Sequence, residues 1–161
     1  MKTLEIIGDN HFEAWTKQRV ACRGIVISGE KALLSYEEKT DQYGIPGGGI
    51  EGEETLEECC AREIAEETGI VVSVDEKYLI MNEFYEEWFF ETHFFICKAI
   101  GETERKLTSR EQKVRMLPKW VDIQEAIDIF SKYQEYAETN EEKRGIYLRE
   151  YIALNELVNR L

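Results

Sequence analysis

The sequence predicts a mixed α/β sandwich, a sheet held between helices. Three observations point there. Runs rich in Val, Ile, Leu and Phe recur at strand length, and one internal segment carries start and stop signals for a helix. The C-terminal residues repeat apolar side chains at helical spacing. No linker, repeat or low-complexity tract interrupts the 161 residues. That length suits one domain with a proper core, so residues 1–161 are expected to form a single unit.

The elements follow in order. Arg19 to Ser28 and Lys31 to Glu37 read as two strands around a tight Gly29-Glu30 turn. Next comes Gly44-Ile45-Pro46-Gly47-Gly48-Gly49, bracketed by apolar Ile45 and Ile50 and stiffened by Pro46, which is not linker composition. Glycine lets such a backbone approach a ligand closely. Leu56 to Thr68 form a helix: Thr55 with Glu58 makes a capping box, and Gly69 suits a left-handed ending. Val71 to Tyr78, Met81 to Glu87 and Phe89 to Ala99 read as further strands, and polar residues 101–117 as loop. Beyond Pro118, Trp120 to Asp122 is a short strand leading into a helix from about Ile123 to Tyr136. A last amphipathic helix covers about 141–161, with Tyr147, Tyr151, Leu154, Val158 and Leu161 on one face. That face packs either on the domain's own sheet or on a second subunit, so a homodimer stays open.

The chemistry concentrates between Gly48 and Ile70. At about 100° per residue, Glu63, Glu66 and Glu67 share an arc of roughly 100° on one helix face. Cys60, Ala61, Ile64 and Ala65 form an apolar stripe opposite. Carboxylates in the C-terminal half face the negative pole of the helix, a cost that a cation would offset. Hard divalent cations with oxygen ligands are the natural occupants, and Mg²⁺ binds through few carboxylates plus substrate phosphates. The glycine run is neither a Walker loop, lacking Gly-Lys-Ser/Thr, nor a dinucleotide fingerprint.

This segment resembles the Nudix hydrolase family, whose motif is G-x5-E-x7-R-E-U-x-E-E-x-G-U with U a bulky aliphatic residue. Gly48, Glu54, Arg62, Glu63, Ile64, Glu66, Glu67, Gly69 and Ile70 fill every specified position. One departure is that Gly52 stands a place earlier than the glycine which many relatives carry directly before the first glutamate. The resemblance implies the α/β/α sandwich and hydrolysis of a nucleoside diphosphate linked to another group X. It implies that Glu63, Glu66 and Glu67, with the carbonyl of Gly47, hold Mg²⁺ or Mn²⁺, and that Glu54 pairs with Arg62 to fix the loop on the helix. Such a cation screens pyrophosphate charge, polarises the P–O bond and acidifies bound water. Family members differ over the general base; Glu63 and Glu111 are the candidates here.

Substrate signals are weaker. The only prolines, Pro46 and Pro118, rule out the proline that ADP-ribose hydrolases commonly carry after the motif. The NADH and coenzyme A motifs are not recognisable. Where dinucleoside polyphosphate hydrolases often place a tyrosine, this chain has Glu87 and Trp88. A nucleoside triphosphate or modified nucleotide is the default. Gly48, Gly49, Tyr85 and Trp88 are the candidate substrate contacts, the aromatic pair by stacking on a base. Two other readings stand beside it: a non-catalytic nucleotide sensor, which commonly loses a motif glutamate, and a diphosphate isomerase, which needs a cysteine and a glutamate at an apolar pocket.

Composition narrows the partners. With 33 acidic and 20 basic residues the net charge is -13, which opposes grip on a long nucleic acid. No apolar run approaches 18 residues and no leader is recognisable, so a soluble cytoplasmic protein without membrane partners is expected. Cys22, Cys59, Cys60 and Cys97 show no C-x-x-C spacing and read as small core residues in a reducing compartment.

Overall fold

A computed structural model of the protein describes residues 1–160. Its strands are β1 Lys2–Ile7, β2 Lys17–Ser28, β3 Lys31–Glu37, β4 Gln42–Gly44, β5 Gly47–Gly49, β6 Ile70–Tyr85, β7 Trp88–Glu102 and β8 Met116–Asp122. The helices are α1 Leu56–Thr68, α2 Ser109–Lys113, α3 Ile123–Ser131 and α4 Glu141–Val158, with a 3-10 turn over Lys132–Tyr136. The strand order is β1-β6-β7-β2-β3-β4, with β5 added on β2 and β8 on β3. β1 runs parallel to β6 and β2 parallel to β7, while the other pairs are antiparallel. The mixed α/β sandwich expected from the sequence is the fold.

Alternation along the strands makes the layers. In β2, Cys22 and Val26 point to the α1 side, where they meet Cys59, Cys60, Ile64, Phe95 and Cys97. Ile25 points the other way, into a larger core with Leu34, Tyr78, Leu79, Phe94, Phe130 and Leu154. All four cysteines are buried thiols, the core role expected of them. Gly24 belongs to the α1 layer, where a Cβ would collide with Cys60 and Cys97.

Several boundaries differ from the sequence reading, each for a local reason. β6 is one strand through Leu79 and Ile80, because its two halves stay in one ladder with β7 across register shifts such as that between Lys77 and Leu79. β1, β4 and β5 were not anticipated; β4 and β5 have three residues each, and β1 joins the sheet through β6 while Leu4 and Ile6 pack on the larger core. Within the expected loop 101–117, Thr108 and Glu111 form a capping box that starts α2. Pro118 lies inside β8, tolerated because β8 pairs with β3 alone. α4 ends at Val158, and Leu161 lies outside the described residues. The apolar face of α4 is covered within the chain: Tyr147, Ala153, Leu154 and Leu157 join the larger core. Among the described residues no helix is long and apolar enough to cross a membrane.

Candidate active site

The box end of the site is a glycine strand laid against an acidic helix. α1 begins where expected, with the Glu58 N–H donating to Thr55 Oγ1 at 3.1 Å and the Thr55 N–H to Glu58 Oε1 at 3.4 Å. Gly69 ends it at φ 75°. β5 pairs with Ala21, Cys22 and Arg23 of β2, and its first two positions leave no room for a side chain. A Cβ on Gly47 would strike the Cys22 carbonyl and the Arg23 chain, and one on Gly48 would stand 2.6 Å from the Glu63 carboxylate.

Arg62 ties loop to helix as the resemblance implied. Its Nη2 and Nε donate to the two oxygens of Glu54 at 2.7 and 2.9 Å, and Nη2 also reaches the Gly49 carbonyl at 3.3 Å. The clamp holds the Glu54 carboxyl down at about 2, chiefly through the Arg62 hydrogen bonds. Nη1 of Arg62 sits between Glu63 at 3.0 Å and Glu66 at 3.2 Å. Glu67 turns inward, 6% exposed, with Oε2 accepting from the Gly47 N–H at 3.3 Å. Of the three carboxylates that the helical spacing puts on one face, it is the most buried. Burial pushes its carboxyl up to about 8, opposed by Arg23 and aided by Glu111 and Glu63. Burial also raises Glu63.

Among the described residues, no three His, Cys, Asp or Glu side chains converge on one point. The donor set nonetheless suits a hard divalent cation. All candidate ligands are oxygens, Glu67 is buried without full counter-charge, and the Arg62 guanidinium already stands as the cation between Glu63 and Glu66.

A cavity of about 660 Å³ runs from this end across the sheet. Gly47, Gly48, Glu67 and Glu111 line its near end, and Tyr85, Trp88 and Phe90 its far end. The period of two explains the aromatic wall: Trp88 and Phe90 share a face of β7 and stack with centroids 5.4 Å apart, while Phe84 and Phe89 stack on the opposite face. Glu111 is held over the cavity by its own cap, accepting from the Thr108 N–H at 2.9 Å, and by Arg110, which bonds Glu37 of β3 at 3.0 Å. Gly49 and Glu63 instead line a shallower depression of about 460 Å³ beside Arg19. The sequence candidates are thus spread: Gly47, Gly48, Glu67, Glu111, Tyr85 and Trp88 line the cavity, Gly49 and Glu63 the depression, and Glu54, Arg62 and Glu66 neither.

The sequence reading missed the charged residues that line the rest of the cavity. Arg23 of β2, Glu83 of β6, and Arg149 and Glu150 of α4 all line the large cavity. Glu150 is wholly buried and fully engaged: Oε2 accepts from the Ile45 N–H at 2.7 Å and Oε1 from Arg149 Nε at 2.8 Å. Burial works against the charge of Arg149, yet Glu150 and Glu83 hold its pKa above the ordinary value. Only a Glu-Arg pair within an amphipathic helix marks this in sequence, a pattern shared with any solvated face.

Residues 17–143 match the family model described as the NUDIX domain. With the complete motif and this geometry, the chain belongs to the Nudix family and is a hydrolase acting on pyrophosphate bonds. Among solved structures it is similar to a NUDIX hydrolase from Nitrosomonas europaea at 21% identity, covering 85% of this chain and 90% of that one with a TM-score of 0.60. It is also similar to a UDP-X diphosphatase (20% identity, 70% and 54% covered, TM-score 0.53). The ORF135 protein of E. coli resembles it as well (21% identity, 70% and 79% covered, TM-score 0.53). At these identities the structures share the fold.

Proposed function

We propose that the protein is a divalent-metal-dependent pyrophosphohydrolase cleaving a nucleoside diphosphate linked to X, most simply a nucleoside triphosphate or modified nucleotide. The observation that carries this is one cavity joining Glu67 and the glycine strand to an aromatic wall. Mg²⁺, or Mn²⁺ in its place, would be held by Glu63, Glu66, Glu67 and the Gly47 carbonyl, and when bound it neutralises phosphate charge and makes the phosphorus more electrophilic.

The chain's own residues do the rest. Arg62 and Glu54 lock the glycine strand to α1, so the donors are fixed before substrate arrives. Arg23 and Arg110, both on the cavity, offset phosphate charge. Glu111 accepts the proton of the water that attacks phosphorus, as the anhydride P–O bond breaks and releases two phosphate-ended products. Glu111 is preferred to Glu63 because it shares the cavity with Glu67, whereas Glu63 is tied to Arg62 and lines the other hollow. Tyr85 and Trp88 hold the base by stacking. Residues 1–161 act as one Nudix unit, since β1 pairs with β6 and α4 closes the cavity although both lie mainly outside the matched span.

The isomerase reading loses its cysteine: Cys22 and Cys97 are buried beneath α1, away from the cavity lining. A nucleoside triphosphate and dinucleotide panel with Mg²⁺ or Mn²⁺, read by mass spectrometry, tests the proposal. Cleavage into two phosphate-ended fragments is expected. Saturable binding without cleavage would make the protein a sensor instead.

A further inference from the structure

Three buried side-chain polar atoms lack a partner among the described residues: Arg23 Nε, Asn82 Oδ1 and Glu83 Oε1. Two of the three residues line the same cavity. Leaving a buried carboxylate oxygen unsatisfied costs free energy comparable to a lost hydrogen bond or more, so such an atom calls for an explanation. Folding alone does not supply one for Glu83. It is 3% exposed, Arg149 Nη1 stands 3.8 Å from Oε1, beyond hydrogen-bond reach, and Tyr85 O–H donates to Oε2 at only 3.4 Å. Glu150, one strand-to-helix contact away, shows the contrast. Its two oxygens accept at 2.7 and 2.8 Å, and Arg149 is thereby committed to it. Glu150 is a structural carboxylate, whereas Glu83 leaves Oε1 without a hydrogen bond and Oε2 with only the long one from Tyr85.

The surroundings indicate what that is. Glu83 pairs in register with Phe90, and Tyr85 with Trp88, so the free carboxylate lies at the edge of the aromatic wall. A flat ring stacked there would bring its edge to Glu83. Burial raises the Glu83 carboxyl and the Arg149 guanidinium opposes that shift; in its ionised form the carboxylate only accepts hydrogen bonds and so selects an edge that donates. Two oxygens side by side match two adjacent N–H donors, and bidentate pairing adds geometric specificity.

Reach fits as well. Glu83 shares its row with Phe90 and, through β7, with Arg19; Gly47 lies one strand past β2, in the row of Arg23. Strand and residue spacings put the two roughly 20 Å apart on a flat sheet, less where side chains reach inward. Base, ribose and a phosphate chain bridge such a gap; inorganic pyrophosphate does not.

We propose that Glu83 is the specificity-determining residue of the cavity, accepting the adjacent N1–H and N2–H donors of a guanine stacked on Tyr85, Trp88 and Phe90. This rests on the pyrophosphohydrolase reading and names its preferred base. Arg149 is a positioning residue, its guanidinium held by Glu150 and standing 3.8 Å from Glu83 Oε1.

The test is equilibrium binding, by titration calorimetry with Mg²⁺, of α,β-methylene triphosphates of guanosine, inosine and adenosine, with imidodiphosphate as a probe of the phosphate end alone. Wild type should bind the guanosine probe at least tenfold more tightly than the inosine probe, which lacks the 2-amino group, and than the adenosine probe. Glu83→Gln should bring the three within about threefold of one another while leaving imidodiphosphate unchanged. Equal binding of the three probes by wild type overturns the proposal with no variant needed, and so does a preference that survives in Glu83→Gln. Failure of imidodiphosphate to bind would strike the pyrophosphohydrolase reading instead, so the two failures are distinguishable.

Discussion

The two ends of the cavity are built on opposite plans. The near end is local: glycine strand, clamp and carboxylates come from one short stretch, and its principal contacts, Arg62 to Glu54 and Gly47 to Glu67, span few residues. The far end is assembled from a distance. Glu150 reaches back to Ile45, Tyr147 O–H accepts from the Tyr43 N–H, and Glu83 faces Arg149. A local site is carried by helix and loop rules, whereas a distant one exists only once the sheet and α4 have docked. The first should therefore fail in chemistry when altered, and the second in stability or substrate choice.

The sharpest break comes at the near end. Glu67→Gln should cut kcat on the order of 10⁴-fold, above about 5 kcal/mol of barrier, measured at saturating Mg²⁺. Stability in chelator should not fall. The amide oxygen can still accept from the Gly47 N–H, and the substitution removes a carboxyl that burial already pushes up to about 8. Near wild-type turnover would remove Glu67 from the metal site. A large loss of melting temperature would show that its role is structural.

Glu150→Ala inverts that pattern. It strands Arg149 in a buried site and leaves the Ile45 N–H without its acceptor. Breaking a buried pair in this way costs about 3–5 kcal/mol, read as a lower urea midpoint. If stability held and only turnover fell, the far wall would be catalytic and the contrast between the ends would collapse.

The division also explains what was legible in sequence. α1 is found at its predicted bounds, Leu56–Thr68, because Thr55, Glu58 and Gly69 are local signals that tertiary packing does not override. The clamp from Arg62 to Glu54 was legible for the same reason. Glu83 and Glu150 were not, since a carboxylate in a strand and another in a charged helix look like solvated positions until β6 and α4 bury them. β5 was hidden because three glycines carry no strand propensity; pairing with β2 alone makes them a strand. Glu111 was placed near the site, but the segment around it was expected as loop. The capping signal at Thr108, identical in kind to that at Thr55, was overlooked in a polar stretch.

Glu111→Gln probes a near-end residue that comes from outside the local stretch, since it is carried by α2 yet overhangs the near carboxylates. Glutamine still caps α2 by accepting from the Thr108 N–H, so geometry should persist while the proton acceptor is lost. A fall in kcat of about 10²-fold, with metal affinity unchanged, is expected of a general base. A fall below about tenfold would return that role to Glu63.

The smallest effect separates the two capping boxes. Thr55→Ala removes the acceptor for the Glu58 N–H at the start of α1, which packs on the cysteine-rich core through Cys59, Cys60 and Ile64. Losing such a cap should lower global stability by about 1 kcal/mol. The comparison belongs in chelator, since a cation bound only to the folded state would mask it. Thr108→Ala deletes the same bond from α2, a single short turn with no buried residue. Little of the core depends on α2, so its loss should leave the urea midpoint within about 0.5 kcal/mol of wild type. It should instead lower kcat, because Glu111 would lose the turn that holds it over the cavity. Equal losses of stability from both variants would mean that α2 is part of the cooperative core, and that Glu111 belongs with the distant scaffold rather than with the local chemistry.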